Sequence, residues 1–118
     1  MTLPADHAPP LPDVEAIVFS ALKDLGGISV FAFDSGAEWP YVSETVAIQV
    51  DVHASSKKRT RDRAYQARQM LLQLPMDDTN KVSRVDVLSG PLWLPEDDGA
   101  PRYVIRVGVS VRAFRKVK

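Results

Sequence analysis

Val46–Leu74 reads VAIQVDVHASSKKRTRDRAYQARQMLLQL, and the hydrophobic period changes partway along it. Val46, Ile48, Val50 and Val52 alternate with Ala47, Gln49 and Asp51, the period-two signature of a strand with one buried face. From about Ser56 the period becomes helical, with Ala64, Ala67, Leu71 and Leu74 forming an apolar stripe and Met70 beside it. Ser55 or Ser56 supplies the N-cap, and Pro75 stops the helix. The first two turns are almost entirely charged: Lys57, Lys58, Arg59, Arg61 and Arg63, followed by Arg68, stand against Asp62 alone. Cations at a helix N-terminus oppose the macrodipole, so a cluster placed there invites a functional explanation.

Working outward, Asp13 caps a helix on the N-terminal side whose apolar positions are Val14, Ile17, Val18, Ala21, Leu22 and Leu25. Gly26-Gly27 ends it in the left-handed region. A strand is predicted over 28–33, with Ile28, Val30 and Ala32 on one face and Ser29, Phe31 and Phe33 on the other. Residues 34–43, with Gly36, Trp39 and Pro40, read as a loop in which Trp39 and Tyr41 either anchor the chain or meet a partner.

On the C-terminal side a strand is predicted from Val82 to Ser89, with Val85 and Val87 facing one way, and Gly90-Pro91 closes it. Leu92-Trp93-Leu94-Pro95 reads as an edge strand or an apolar loop, with Trp93 a second candidate contact aromatic, and Glu96-Asp97-Asp98-Gly99 as an acidic turn. The longest strand runs from Arg102 to Ala113. Tyr103, Ile105, Val107, Val109 and Val111 line its buried face, and Arg102, Arg106, Ser110 and Arg112 mark the other. The order α-β-β-α-β-β predicts an α+β fold: an antiparallel or mixed sheet of about four strands with both helices on one face. Residues 1–10, with Pro4, Pro9 and Pro10, read as a flexible arm, 11–113 as one domain and 114–118 as a basic tail.

The formal charge is zero, yet it is unevenly distributed. Through residue 56 eight carboxylates face Lys23 alone, and beyond it fourteen cations face seven carboxylates. Either the two halves mingle on one solvated surface, or the acidic patch of one copy meets the basic patch of another. A head-to-tail contact of the second kind builds rings or filaments. The 118 residues suffice for a modest core, and with no cysteine there are no disulfides or thiolate metal sites. No apolar run approaches the ~20 residues of a membrane span, and Met1–Pro12 lacks the pattern of a secretion signal. The expectation is a soluble, non-exported protein.

Motifs for catalysis are missing. His7 lies in the arm and His53 at a strand exit, where a hydrogen-bonded surface role outweighs that of a general base. Ser89-Gly90 lacks the nucleophile-elbow pattern, and the six glycines form no dinucleotide or phosphate-loop fingerprint. Glu96-Asp97-Asp98 lacks the spaced ligands of a calcium loop and reads as a solvated turn. No enzyme, metal or cofactor is expected. Nucleic acid competes for the basic helix and for the tail cations Arg112, Arg115, Lys116 and Lys118, but no sequence-reading motif accompanies them.

The order and texture of the chain resemble tail terminator (tail completion) proteins of long-tailed bacteriophages. The likeness is carried by LPDVE at 11–15 opening a helix, the Gly-Gly break, AIQVDVHA at 47–54, RAYQARQMLL at 63–72, SGPLWLP at 89–95 and a strand beginning Arg102-Tyr103. It implies a virion protein, assembled in the host cytoplasm, that forms a six-fold ring on the head-proximal end of the tail tube. Such a ring ends tube polymerisation and joins the tail to the head connector. DNA passes through it unread, and no membrane is involved. Within the ring, Asp13, Glu15 or Glu44 of one subunit would face Lys57, Lys58, Arg59, Arg61 and Arg63 of the next. A head completion or connector ring of the same neck, and a non-specific nucleic-acid-binding module, remain as alternatives.

Overall fold

The computed structural model describes residues 13–38, 43–77 and 81–112. The arm of residues 1–10, Trp39 and Tyr41, and the tail of residues 114–118 lie outside the described residues. Asp13 caps helix α1 (Val14–Leu22) by accepting the Ala16 N–H at 3.1 Å. A single 3₁₀ turn (Lys23–Leu25) then carries Leu25 against the core, and Gly26 and Gly27 reverse the chain at φ 78° and 66°. Strands β1 (Ile28–Glu38) and β2 (Ser43–His53) form an antiparallel hairpin. Helix α2 (Lys57–Leu72) follows, with Ser56 as its cap accepting the Arg59 N–H at 3.1 Å. Strands β3 (Val82–Trp93) and β4 (Arg102–Arg112) complete an antiparallel sheet in the order β1-β2-β4-β3. The fold is α+β, with the element order the sequence predicts.

Both helices lie on one face of the sheet. Val14, Val18 and Leu22 from α1 and Ala64, Ala67 and Leu71 from α2 close over Val46, Ile48, Val50 and Val52 of β2 and the odd-numbered residues 103–111 of β4. Helix α1 lies over β1, and α2 over β4 and β3. Burying a Val or Leu side chain contributes about 1.5–3 kcal/mol, so this single interdigitated layer dominates the stability of the fold.

Three boundaries differ from the sequence reading. Residues 34–38 are strand, not loop, because they pair with residues 43–47 of β2 as far as Glu38↔Ser43. A register shift between Ala32 and Asp34 lets the chain continue despite the weak strand propensities of Asp, Ser and Gly. Gly90-Pro91 does not close β3, and Leu92-Trp93 are part of that same strand. Pro91 is tolerated because β3 is an edge strand, and register shifts at Val87/Ser89 and Ser89/Leu92 absorb the missing ladder bond. Helix α2 ends at Leu72, and Pro75 sits in a 3₁₀ turn (Leu74–Met76) that still buries Leu74.

Candidate assembly surfaces

The α2 cations divide into two groups. Arg63 points to the α1 side, where its Nη1 donates to the main-chain oxygens of His53 at 2.8 Å and Gly26 at 3.1 Å. That guanidinium ties the helix to the turn feeding β1 and to the end of β2. The remaining cations face outward. Lys57 sits 4.7 Å from the Trp93 ring centre, Arg61 lies 5.1 Å from that of Tyr65, and Lys58 pairs with Asp62 at 3.0 Å. Arg59 is exposed and makes no side-chain contact of this kind among the described residues.

The acidic candidates are similarly mixed. Asp13 is the α1 cap. Glu15 accepts the Ala32 N–H of β1, occupying one of the outward-facing donors of that edge strand. Glu44 lies at the far end of β2, opposite Val111 and about nine residues from the α2 end of the strand. At roughly 3.3 Å per residue that places it about 30 Å from the basic turns of its own chain. Trp93 is half-covered, its ring 5.3 Å from that of Tyr103, and with Lys57 stacked on it the indole joins β3 to the start of α2. Trp39 falls outside the described residues.

The sheet face away from the helices carries two features that the sequence reading passed over. One is a polar chain running across β2, β4 and the β3–β4 connection. Arg106 Nε donates to Gln49 Oε1 at 3.1 Å, and Gln49 Nε2 donates to Asp51 at 2.9 Å. Arg102 lies 3.6 Å from Asp51 and 3.3 Å from Glu96, and Glu96 meets His53 Nε2 at 2.7 Å. Arg102 also donates to the Leu94 carbonyl at 2.7 Å. Asp51 is thereby buried with partners, and Glu96 is held by two side chains instead of standing in a freely solvated turn. His53, Glu96, Asp97, Asp98 and Ala100 line an open recess of about 480 Å³. Among the described residues no group of three or more metal-ligating side chains converges.

The other feature is apolar. Phe31, Phe33, Leu88 and Leu92 stand on this open face at 39%, 50%, 57% and 44% exposure. Arg106 lies 5.9 Å from the Phe33 ring centre, and the Leu88 side chain reaches over Gly108. The signal was present in the alternation of β1, where Phe31 and Phe33 fall opposite the core positions. The same alternation in β3, with Val85 and Val87 facing one way, puts Leu88 on the other face beside a register shift.

Compared with known proteins, the chain matches no family model, no curated protein and no solved structure.

Proposed function

We propose that this chain is a structural subunit of a closed ring at the head-proximal end of a phage tail tube, where it stops tube growth and joins the tail to the head connector. The observation that carries the reading is the amount of large apolar surface left outside the core. Phe19, Tyr65, Leu72, Leu88 and both outer phenylalanines of β1 are exposed by more than a third. Phe31 and Phe33 of β1 and Leu88 and Leu92 of β3 share the open sheet face, and large apolar side chains gathered on one face suit a surface that works while covered. The likeness in residue order to tail terminators, laid out above, names the assembly. The flanking cations add register and encounter rate between subunits more than affinity.

The test is direct visualisation. Purified full chain should form rings with a central opening in negative stain, and adding it to polymerising tail-tube subunits should give short tubes carrying a ring at one end. Tubes that lengthen unchecked with no density at their tips contradict the reading.

A further inference from the structure

The reading as a ring subunit leaves open which surfaces meet. Resting on that reading, we propose that the seam joins the α2–β3 flank of one copy to the α1–β1 flank of the next.

Helical spacing puts Lys57, Arg61, Tyr65, Arg68 and Leu72 on one stripe of α2, within about 80° of one another at ~100° per residue. Lys57 stacks on Trp93 of β3 while Arg63 reaches Gly26 and His53, so the stripe lies on the β3 side of the molecule. Tyr65 and Leu72 are 45% and 37% exposed along it, and Arg61 lies over the Tyr65 ring. The surface is thus cationic with two apolar anchors.

The opposite flank is its complement. Glu15 and Phe19 are one turn apart on α1, and Glu15 reaches the outer edge of β1 through the Ala32 N–H. Phe19 is 45% exposed. From Asp13 to Asp24 three carboxylates face Lys23 alone. The two flanks lie at opposite edges of the same helical layer, so a contact between them is head-to-tail and repeats, giving a ring where the rotation between copies closes. Plain strand addition along β1 is blocked where Glu15 occupies the Ala32 donor, which leaves side chains rather than a continued ladder to form the seam. Nucleic acid is a poorer occupant. Lys58 is already paired and Lys57 already stacked, and the same chain carries an acidic surface that matches the stripe.

The experiment uses two full-length variants at low salt. Arg61→Glu with Arg68→Glu makes both flanks acidic, and Glu15→Lys with Asp24→Lys makes the other flank basic. Each alone should be monomeric, with the midpoint concentration for assembly raised about ten-fold or more. Mixed in equal amounts, they should assemble into rings of alternating composition, because every seam then pairs acid with base. Variants that assemble like the wild type, or a mixture that stays monomeric, overturn the seam. If Glu15→Lys melts early, Glu15→Gln keeps an oxygen acceptor for Ala32 and should still weaken assembly; unchanged assembly there also overturns it. A wild type that forms rings through other surfaces sinks only the seam, whereas a wild type that never assembles sinks the ring reading with it. Uptake of a short DNA duplex that is lost in the Arg61/Arg68 double variant replaces the self-contact with a nucleic-acid surface.

Discussion

Arg63 donates a 2.8 Å hydrogen bond to the main-chain oxygen of His53, and the same nitrogen reaches the Gly26 oxygen at 3.1 Å. One guanidinium therefore joins α2, the end of β2 and the turn before β1. Hydrogen bonds from a charged donor contribute about 1.5–3 kcal/mol, and removing the donor leaves two carbonyls without it. Arg63→Ala should lower unfolding free energy by about 2 kcal/mol in urea titrations. Arg59→Ala, four residues away and exposed, should stay within about 0.5 kcal/mol. Equal effects of the two would contradict the assignment of Arg63 to the fold.

Gly27 sits against that same carbonyl. Its φ is +66°, and a Cβ placed on it would lie 2.2 Å from the His53 oxygen, while its own oxygen accepts the His53 N–H at 2.8 Å. Neither backbone can withdraw without breaking the first rung of the β1–β2 ladder. Gly27→Ala should destabilise by about 3 kcal/mol or more, combining left-handed strain with the clash. Gly99→Ala is the control: φ is +88° but the space is open, so the cost is about 1–2 kcal/mol of strain alone. Thermal melts of the two variants separate these contributions.

Arg102 holds the β3–β4 connection closed through the Leu94 carbonyl, Glu96 and Asp51. Arg102→Ala should speed amide exchange over residues 94–101 well before it affects α1, because the loop loses its side-chain ties while the core keeps its packing. Asp51 would keep only the Gln49 amide, and a cost of about 1–3 kcal/mol is expected for that near-buried carboxylate. Exchange in the loop that matches the wild type would show the network to be ornamental.

The open sheet face makes a contrasting prediction. Leu88→Ser should change monomer stability by no more than about 0.5 kcal/mol, since the side chain is 57% exposed. Sedimentation should nevertheless show weaker self-association or tube binding in Leu88→Ser if the face is covered in the assembly. A loss of 2 kcal/mol with unaltered association would reverse that ranking.

The core was legible because it is written in period: the odd-numbered residues 103–111 and the even-numbered residues 46–52 are the positions that their strands turn to the helices. The caps Asp13 and Ser56 and the Gly26-Gly27 reversal were legible for the same local reason. Residues 34–38 were not, since only pairing with β2 makes Asp34-Ser35-Gly36 a strand, and pairing is a tertiary fact. Charge told less than it suggested. Asp13, Glu15 and Arg63 all carry charges that look available in the sequence, and each is tied to a backbone group of its own chain. Arg61, with Tyr65 beside it, retains the outward position that the basic cluster led one to expect of every member.

Native mass spectrometry of the full chain across a range of concentrations, with and without a short DNA duplex, tests the ring most directly. The account predicts one closed oligomer of six copies whose mass is unchanged by the duplex. A chain that remains monomeric throughout, or that gains mass only by taking up DNA, contradicts it.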